Sequence, residues 1–402
     1  MSSWKEYKIG DAMDLFQGLA INSKTKYLLV EKSNLPLLRI KDLQENTAEF
    51  FVNESEVPEK CIANENDLIF TRTGIVGLVF MGKKGVVHNN CFRIVPKIDD
   101  IFLKFYYYYF NREDMREYLT GISAGSVQPD MNHSIFKNEI IPVPPLEEQK
   151  AIAEVLSSLD DKIDLLHRQN QTLESLAQTL FRQWFIEEVK EEWEIKFSDA
   201  PIQIIDGDRG NNYPKNSDFF TNEYCLFLSA KNVTKNGFNF LDCQFITKER
   251  DELLRKGKLS KNDVVLTTRG TVGNIAYYHE LIPFENIRIN SGMVILRADE
   301  TKISSLYLYI LMKSPLFTES VIGHTSGSAQ PQLPIRDLNN VSFILPPEDI
   351  YNKFMEQVKP IYSKVFSNQK QIQTLENLRD TLLPNLLSGE VRVNLRIRRG
   401  NK

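Results

Sequence analysis

The sequence predicts an α+β protein with a pseudo-two-fold internal repeat, in which two mixed α/β domains are separated by two long helices that form an antiparallel coiled coil. Two observations predict this fold. A set of motifs occurs twice in the same order, and each copy ends in a stretch with coiled-coil spacing of apolar residues. The 402 residues are enough for two domains with their own cores.

The internal repeat is the strongest signal in the chain. The segment from Asp67 to Gly77 aligns without gaps on the segment from Asp263 to Gly273. Three further motifs recur at a constant offset of 202 residues: Gly125–Pro129 with Gly327–Pro331, Pro144–Pro145 with Pro346–Pro347, and Gln171–Glu174 with Gln373–Glu376. Trp4 and Trp193 open the two copies at a different offset, so the insertions between the copies precede Asp67 and Asp263.

The repeat divides the chain into four predicted parts. They are a first domain over 1–145, a first long helix over 146–189, a second domain over 190–347, and a second long helix with the C-terminal tail over 348–402. A Pro-Pro pair ends each domain, because proline restricts its own backbone and that of the preceding residue.

Each domain is predicted to combine short strands with a helix. The runs Asp67–Thr71 and Asp263–Thr267 are typical of strands that end in glycine turns. The segments Phe102–Leu119 and Leu306–Val321 are predicted helices. The run Tyr106–Tyr109 in the first of them favours packing in the core over stacking on nucleic-acid bases.

The two long helices are predicted from apolar residues whose spacing alternates between four and three. The pattern runs from Ile152 to Trp184 and from Phe354 to Leu386, and it is typical of a coiled coil. We expect Pro360 to kink the second helix or delay its start. Pro384 is expected to end or bend that helix near Leu383.

One asparagine interrupts each apolar seam and indicates the direction of the pair. Asn170 lies 14 residues before Trp184, and Asn368 lies 14 residues after Phe354. In an antiparallel pair the two amides meet, whereas in a parallel pair both would remain buried and unpaired, at a cost of about 1–3 kcal/mol each. The sequence therefore predicts antiparallel helices with an Asn170–Asn368 contact; the alternative is that either asparagine points to solvent.

An antiparallel pair would place the two domains at opposite ends of a rigid spacer. The helix from Ile152 to Trp184 would be roughly 48 Å long at 1.5 Å per residue, and one turn of B-DNA spans about 34–36 Å. Two readers held at that scale can each meet one half of a DNA site. Because the loops of the two domains differ, the two halves should differ in sequence.

Composition and charge restrict the possible functions. The net charge of −4 disfavours strong DNA binding by the chain alone, so DNA contact would depend on local basic loops or on a partner. No apolar run approaches the ~18 residues of a membrane span, and the first residues do not resemble a secretion signal. The four cysteines lack CxxC spacing, which disfavours zinc and disulfides and favours a cytoplasmic protein.

The candidate DNA-contacting residues are polar or basic and lie in loops beside the strand ends, where hydrogen-bonding side chains can reach base edges or phosphates. They are Arg72, Thr73, Ser126 and Gln128 in the first domain, and Arg209, Asn211, Asn212, Lys215, Thr268, Arg269, Ser328 and Gln330 in the second. Asn22–Lys26 is the rough counterpart of Arg209–Lys215. For Gln128 and Gln330, loop bracing and DNA contact are equally favoured, and the glycines that follow the strands favour a tight turn.

Three segments resemble the specificity subunits of type I restriction-modification systems. Ile141–Ile152 is similar to the junction between domain and helix in those subunits, and Leu382–Val391 resembles the end of their second helix. Asp206–Lys215 is similar to the opening loop of one class of their recognition domains. The resemblance covers essentially the whole chain, although the second junction, Pro346–Ile350, lacks the Leu-Glu-Glu-Gln run of the first.

The resemblance implies a non-catalytic DNA-recognition subunit of a larger complex. The two domains would then be target-recognition domains for the halves of a split, asymmetric site in double-stranded DNA. The implied partners are methyltransferase subunits, expected to be two, which use S-adenosylmethionine and dock on the paired helices, and ATP-dependent restriction subunits. No cofactor and no metal are expected on this chain.

Catalysis by the chain itself is disfavoured. The sequence contains no GxxxxGK[ST] phosphate loop, no HExxH, no Rossmann glycine fingerprint and no Asn-Pro-Pro-Tyr/Phe motif. The carboxylates of Asp160 and Asp161 are interpreted as part of the solvated face of the first helix. Two alternatives stay open: a coiled-coil repeat scaffold that binds proteins rather than DNA, and a fused restriction-methylation enzyme, which would need one of these motifs.

Overall fold

A four-stranded antiparallel sheet forms the frame of the first domain in the computed structural model, which describes residues 4–123, 129–187, 190–240, 242–327 and 331–393. The chain divides into two units, one of residues 1–163 and 374–402 and one of residues 164–373. Both divisions fall inside the long helices, so each unit contains part of each helix. The four domain limits predicted from the sequence stay a prediction.

The first unit places its strands in four sheets. The strands are β1 (Lys5–Lys8), β2 (Met13–Gln17), β3 (Leu29–Val30), β4 (Leu37–Leu38), β5 (Phe51–Val52), β6 (Ile62–Ala63), β7 (Leu68–Thr71), β8 (Val79–Phe80), β9 (Gly85–Val87), β10 (Cys91–Pro96) and β11 (Ile140–Val143). The frame has the order β2-β10-β7-β8, and smaller sheets have the orders β4-β9-β6, β1-β11 and β3-β5. Its short helices are α1 (Ile9–Ala12), α2 (Ile40–Glu45), α3 (Leu103–Asn111), α4 (Glu113–Ile122) and α5 (His133–Asn138), and α6 (Leu146–Arg182) is the first long helix.

The second unit repeats the frame. Its strands are β12 (Glu194–Lys196), β13 (Ile202–Asp206), β14 (Cys225–Leu228), β15 (Val233–Thr234), β16 (Gly237–Phe238), β17 (Phe245–Ile246), β18 (Val264–Thr267), β19 (Ile275–Tyr277), β20 (Ile287–Ile289), β21 (Met293–Ala298) and β22 (Ser342–Ile344). Its helices are α7 (Lys248–Leu253), α8 (Ser305–Met312), α9 (Pro315–His324) and α10 (Ile335–Leu338), and α11 (Glu348–Ser388) is the second long helix.

The two units share their frame and differ around it. The order β13-β21-β18-β19 matches β2-β10-β7-β8 strand for strand. In both units a parallel pair lies beside the frame, β4 with β9 and β14 with β20. The third strand of that small sheet differs, since β6 pairs with β9 whereas β17 pairs with β14. The sequence repeat therefore marks the frame, and the unmatched insertions build different flanking sheets.

Each predicted domain helix is in fact a pair of helices. The first is broken at Arg112, which is extended at φ −60° and ψ 141°. The second is broken before α9, where Ser314 caps the new helix by accepting from Phe317 and Pro315 takes its first position. Serine followed by proline is a helix-start signal, so this break was readable from the sequence. The tyrosine run packs in the core as expected, with Tyr106 fully buried.

The second long helix runs unbroken from Glu348 to Ser388, so the expected late start at Pro360 and early end at Pro384 are wrong. The alternative expectation of a kink or bend at these prolines stays a prediction. A proline removes one N–H donor from a helix. Both prolines lie on the exposed side, where water can satisfy the freed carbonyl. After Pro384, the side chains of Leu386 and Leu387 are buried in the core of the first unit, which favours another helical turn.

The long helices run antiparallel within each unit. In the second unit the rings of Trp184 and Phe354 lie 6.4 Å apart, and the amide of Asn368 donates to Oδ1 of Asn170 at 2.9 Å. Both asparagines are buried, and Asn170 also donates to the carbonyl of Val365 at 3.3 Å. The Asn170–Asn368 contact expected from the heptad register is therefore present.

In the first unit an ion pair lies at the interface of the same two helices. Asp160 accepts from Nη1 of Arg379 at 3.0 Å and from the hydroxyl of Tyr108 at 2.7 Å. The interpretation of Asp160 as part of a solvated face is wrong, because long-range partners on α3 and α11 hold its carboxylate. No described helix is both long and apolar enough to cross a membrane.

The junctions between domain and long helix use different residues for the same hydrogen bond. Gln149 is fully buried; its Oε1 accepts from the Phe102 N–H at 2.8 Å, and its Nε2 donates to the carbonyls of Asp100 and Pro144. In the second copy the hydroxyl of Tyr351 accepts from the Ser304 N–H at 2.7 Å. Both pairs are related by the offset of 202 residues. The departure of the second junction from the Leu-Glu-Glu-Gln pattern thus preserves this backbone bond.

Candidate nucleic-acid interface

The turns that follow β7 and β18 have the same backbone. Gly77 donates to the Thr71 carbonyl and Gly273 to the Thr267 carbonyl, both at 3.0 Å. Gly74 and Gly270 have φ values of +78° and +75°, a conformation that side chains rarely adopt. The tight-turn interpretation of these glycines is confirmed. Each turn presents the two residues before its first glycine at the edge of the frame.

The first of these turns is tied back to the protein through Arg72. Its Nη2 donates to both carboxylate oxygens of Asp130, at 2.7 and 2.8 Å, and its Nη1 donates to Gln17 at 3.1 Å. The hydroxyl of Thr73 donates to the same carboxylate at 3.0 Å. The guanidinium also lies 5.4 Å from the ring centre of Phe92. Arg72 therefore joins the end of β2, the end of β7 and Asp130.

The second turn leaves its arginine free. Thr268, the counterpart of Arg72, is buried and donates to the Gly292 carbonyl at 3.1 Å. Arg269, the counterpart of Thr73, is exposed, and its guanidinium has no hydrogen bond or ion pair within the described part of the chain. Its backbone bridges to Gln332, the counterpart of Asp130. The carboxylate that holds the arginine in the first unit is thus an amide in the second.

The opening loop of the second domain carries four candidates, all exposed: Arg209, Asn211, Asn212 and Lys215. The guanidinium of Arg209 contacts Asp206 at 3.1 Å and the Ser291 carbonyl at 3.4 Å. Asn212 donates to the Leu253 carbonyl at 3.2 Å. The side chains of Asn211 and Lys215 make no hydrogen bond among the described residues. This loop therefore presents polar and basic groups to solvent.

The short connection between β20 and β21 brings the two candidate segments together. Arg209 bonds to Ser291, while Thr268 and Arg269 bond to Gly292. Two basic residues from distant parts of the sequence, Arg209 and Arg269, therefore lie beside one three-residue turn, Asn290–Gly292. Neighbouring cations on one edge of a domain are what a DNA-binding surface requires even when the whole chain is acidic.

A buried carboxylate fixes the shape of the opening loop. Oδ1 of Asp208 accepts from the Gly210 N–H and Oδ2 accepts from the Arg255 N–H, both at 2.7 Å. Burial raises the pKa of Asp208, but the backbone hydrogen bonds from Gly210, Arg255 and Lys256 outweigh burial, and the net pKa is lowered. The carboxylate is therefore charged at neutral pH and joins the loop to the segment after α7.

Sequence reasoning missed several residues at this edge. Arg255 and Lys256 are exposed beside the opening loop, but no motif marked them. Gly18 and Gly207 occupy equivalent positions at which two backbone segments approach closely. A β-carbon at Gly18 would lie 2.3 Å from the His88 carbonyl oxygen, and one at Gly207 would lie 2.2 Å from the Asn290 carbonyl oxygen. The two glycines are separated by the same offset as Trp4 and Trp193. This shared offset is the sequence signal that could have identified them.

Four predicted contacts, those of Ser126, Gln128, Ser328 and Gln330, lie outside the described residues. Their neighbours are described. Gly74 donates to the Pro129 carbonyl at 3.0 Å, and Ser326 and Gln332 exchange backbone bonds at 2.9 Å. The segments that flank both loops therefore run beside the glycine turns.

Comparison with known proteins gives one consistent family. The model of the type I restriction modification DNA specificity domain matches twice, over residues 1–175 and 190–377. The type I restriction enzyme MjaIX specificity subunit of Methanocaldococcus jannaschii is 29% identical, over 97% of this chain and 94% of that relative. The EcoBI specificity subunit of Escherichia coli is 22% identical, over 97% and 86%.

A solved structure has the same fold. The crystal structure of the S subunit of a type I restriction-modification system from M. genitalium superposes with a TM-score of 0.60 at 17% identity, and it covers 96% of both chains. At that identity the likeness establishes the architecture of the chain and leaves the residues that contact DNA to be argued from the site itself.

Proposed function

The chain belongs to the family of type I restriction modification DNA specificity proteins, and on that premise we propose that each of its two recognition domains reads one half of a split, asymmetric DNA site. The paired long helices set the spacing between the halves and dock methyltransferase subunits, of which we expect two. Restriction subunits can join this complex. The chain itself is the non-catalytic, DNA-reading part and works where cellular DNA is accessible, in the cytoplasm.

One observation carries this proposal. The same four-stranded frame occurs twice, and equivalent turns at its edge expose different chemistry, Thr73 with a tied Arg72 in one unit and a free Arg269 in the other. A protein that reads two different half-sites needs this combination of a repeated scaffold and unlike contact groups. A scaffold that only binds proteins through its helices has no need of it.

The candidate residues divide into two roles by their chemistry. An exposed arginine can donate two hydrogen bonds to guanine, and asparagine can pair with adenine, so we assign base contact to Arg269, Asn211 and Asn212. Lys215 and Arg209 carry charge on the opening loop and suit contact with phosphates. Thr268 and Arg72 support the turns from behind, since their side chains bond within the protein.

The acidic balance of the chain fits a role within a complex. Two exposed cations near Asn290–Gly292 would contact few phosphates, and each phosphate contact adds only part of the salt-dependent affinity. Methyltransferase subunits that enclose the DNA would supply the rest, together with the S-adenosylmethionine that methylation consumes. The chain alone should therefore bind DNA weakly and transfer no methyl group.

Reconstitution tests this function. The methyltransferase subunits would be purified with and without this chain, and transfer of labelled methyl groups to DNA would be measured. We expect transfer only when both are present, and none by the chain alone. Methylation by the chain alone would support a fused enzyme. A stable complex whose methylation does not depend on this chain would support the protein-binding scaffold. Either result would contradict the proposal.

A further inference from the structure

A basic cavity lies between the opening loop of the second domain and the segment that follows α7. Its volume is about 300 Å³, and its walls include Asp206, Asp208, Arg209, Arg255 and Lys256. The three basic side chains are exposed, and two of them belong to a segment that the sequence analysis did not select. Besides Arg269 on the turn after β18, the second domain therefore has a second group of cations at this cavity.

The two acidic residues of the cavity are already engaged. Asp208 is 5% exposed, and its carboxylate accepts backbone N–H groups from both walls. Asp206 pairs with Arg209 at 3.1 Å. The side chains of Arg255 and Lys256 have no hydrogen bond or ion pair within the described residues. The groups left to meet a ligand are thus cationic.

The backbone behind these two cations is held firmly. Arg288 is buried and donates to the carbonyls of Lys256 and Asp251 at 2.7 Å and of Leu254 at 3.0 Å. Its guanidinium also pairs with the Asp251 carboxylate, which Lys258 contacts as well. Because both the cavity wall and Asp208 are fixed, Arg255 and Lys256 are presented from a rigid base, which limits the ordering cost of binding.

Glycine keeps the cavity open on the loop side. A β-carbon at Gly210 would lie 2.9 Å from Nη2 of Arg255, so a larger residue would displace that guanidinium. The described opening loop of the first domain does not repeat the loop side of this cavity. Leu19 and Ile21, at the positions of Asp208 and Gly210, pack instead against a cluster that includes Leu28 and Leu35.

We propose that the cavity formed by Arg209, Arg255 and Lys256 binds a backbone phosphate of the DNA, and that only the second domain has this site. The proposal rests on the proposed function and adds a contact that positions the second domain without reading sequence. A phosphate is compact, anionic and rich in acceptors, which suits a cavity with cationic donors on one side.

Salt-dependent binding by the assembled complex tests the site. The complex would be purified by way of this chain. Its affinity would then be measured, from 50 to 300 mM salt, for a DNA duplex that contains the sequence motif that the complex methylates and for a duplex that lacks this motif. For Lys256→Gln and Arg255→Gln we expect both duplexes to bind roughly tenfold more weakly. The slope of log affinity against log salt should fall by about 1, with the methylated motif unchanged.

Lys302→Gln is the matched control. This substitution also removes one positive charge, but at a position near Ala298. Ala298 pairs with Ile202, which lies at the opposite end of the β13–β21 ladder from Asp206 of the cavity. Its affinity and salt slope should match those of the unaltered complex. Unchanged affinity in Lys256→Gln and Arg255→Gln, or weakening only on the motif duplex, would overturn the phosphate site while leaving the proposed function in place. A complex that bound no DNA at all would overturn both.

Discussion

The turns after Thr71 and Thr267 have the same backbone and differ in the position of their arginine. In the first unit Arg72 is bound by Asp130 and Gln17, so it acts as part of the scaffold. In the second unit the arginine is one residue later, Gln332 replaces the carboxylate, and Arg269 is exposed. Moving one residue type by one position therefore changes it from a structural group into an available donor.

The same contrast extends to the opening loops. Leu19 and Ile21 pack their loop against an apolar cluster in the first unit, whereas Asp208 holds its loop by backbone hydrogen bonds in the second. In the second unit these hydrogen bonds bring the exposed cations Arg255 and Lys256 beside the loop. The two domains should thus contribute unequally to DNA affinity, with the second supplying more of the charge.

The largest expected effect separates the two turns directly. Arg269→Ala in the assembled complex should lower affinity for the methylated motif by about 10- to 100-fold, because a bidentate arginine–guanine contact is worth about 1–3 kcal/mol. The motif should become degenerate at one position of one half-site, as seen by mapping methylated bases. Thr73→Ala, at the equivalent position of the first turn, is the control and should leave the second half-site unchanged. An unaltered motif in Arg269→Ala would remove this residue from base reading.

Removing the other arginine should affect stability instead. Arg72→Ala breaks the bidentate pair with Asp130 and should lower the free energy of unfolding by about 1–2 kcal/mol. This is the lower part of the range for hydrogen bonds between charged groups, because solvent reaches Asp130 and weakens the pair. Denaturant unfolding followed by circular dichroism measures it, with Arg269→Ala expected to change stability by less than about 0.5 kcal/mol.

A double variant sharpens the comparison of the two turns. Arg72→Thr together with Asp130→Gln copies the residues of the second unit, so no carboxylate is left without its partner. It should be more stable than Arg72→Thr alone, by about 1 kcal/mol, because the two residues are directly coupled. Additive effects of the two substitutions would contradict the structural role of the pair.

The helix seam gives a smaller, paired effect. Asn368→Leu would deprive Oδ1 of Asn170 of its donor inside the second unit, and we expect a loss of about 1 kcal/mol in denaturant unfolding. The double variant, Asn170→Leu with Asn368→Leu, should regain that stability, since both buried amides are gone. It also removes the polar pair that fixes the register of the two helices. A double variant less stable than the single one would contradict this account of the seam.

The last expected effect is a pH dependence of stability to which His279 of the second unit contributes. Burial, chiefly, lowers the pKa of His279 to about 4, and its ring stacks on Phe366 of the second long helix at 4.3 Å. As pH falls from about 6.5 toward 4, the unfolded chain takes up a proton that the folded chain does not, so stability is lost in that window. Unfolding measured at pH 7 and pH 5 should show a smaller difference for His279→Gln than for the unaltered chain. The exposed His167→Gln should leave the difference as it is.

The repetition of the domain and the antiparallel helix pair were predictable from the sequence because they depend on motif offsets and on local periodicity. The heptad spacing around Asn170 and Asn368 determines which residues face each other, and that contact is present. The roles of Arg72 and Asp160 were not predictable in this way. Their partners, Asp130 and Arg379, are 58 and 219 residues distant, and no sequence period connects them.

Tertiary packing also overrode one local rule. Proline normally interrupts helices, yet α11 passes through Pro360 and Pro384, whose freed carbonyls face water while Leu386 and Leu387 gain burial beyond them.

The cations Arg255 and Lys256 follow a short helix without any motif. Their relation to Arg209 arises through the Asp208 hydrogen bonds, which join residues 47 positions apart in the chain.

The most direct test of the central claim is to map the methylated bases in DNA from cells that carry this chain with its methyltransferase. Two unlike readers held by a fixed spacer should produce a split motif, with two different half-sites separated by a constant number of unspecified bases. A continuous palindrome, or two identical half-sites, would contradict an account in which the two domains read different sequences.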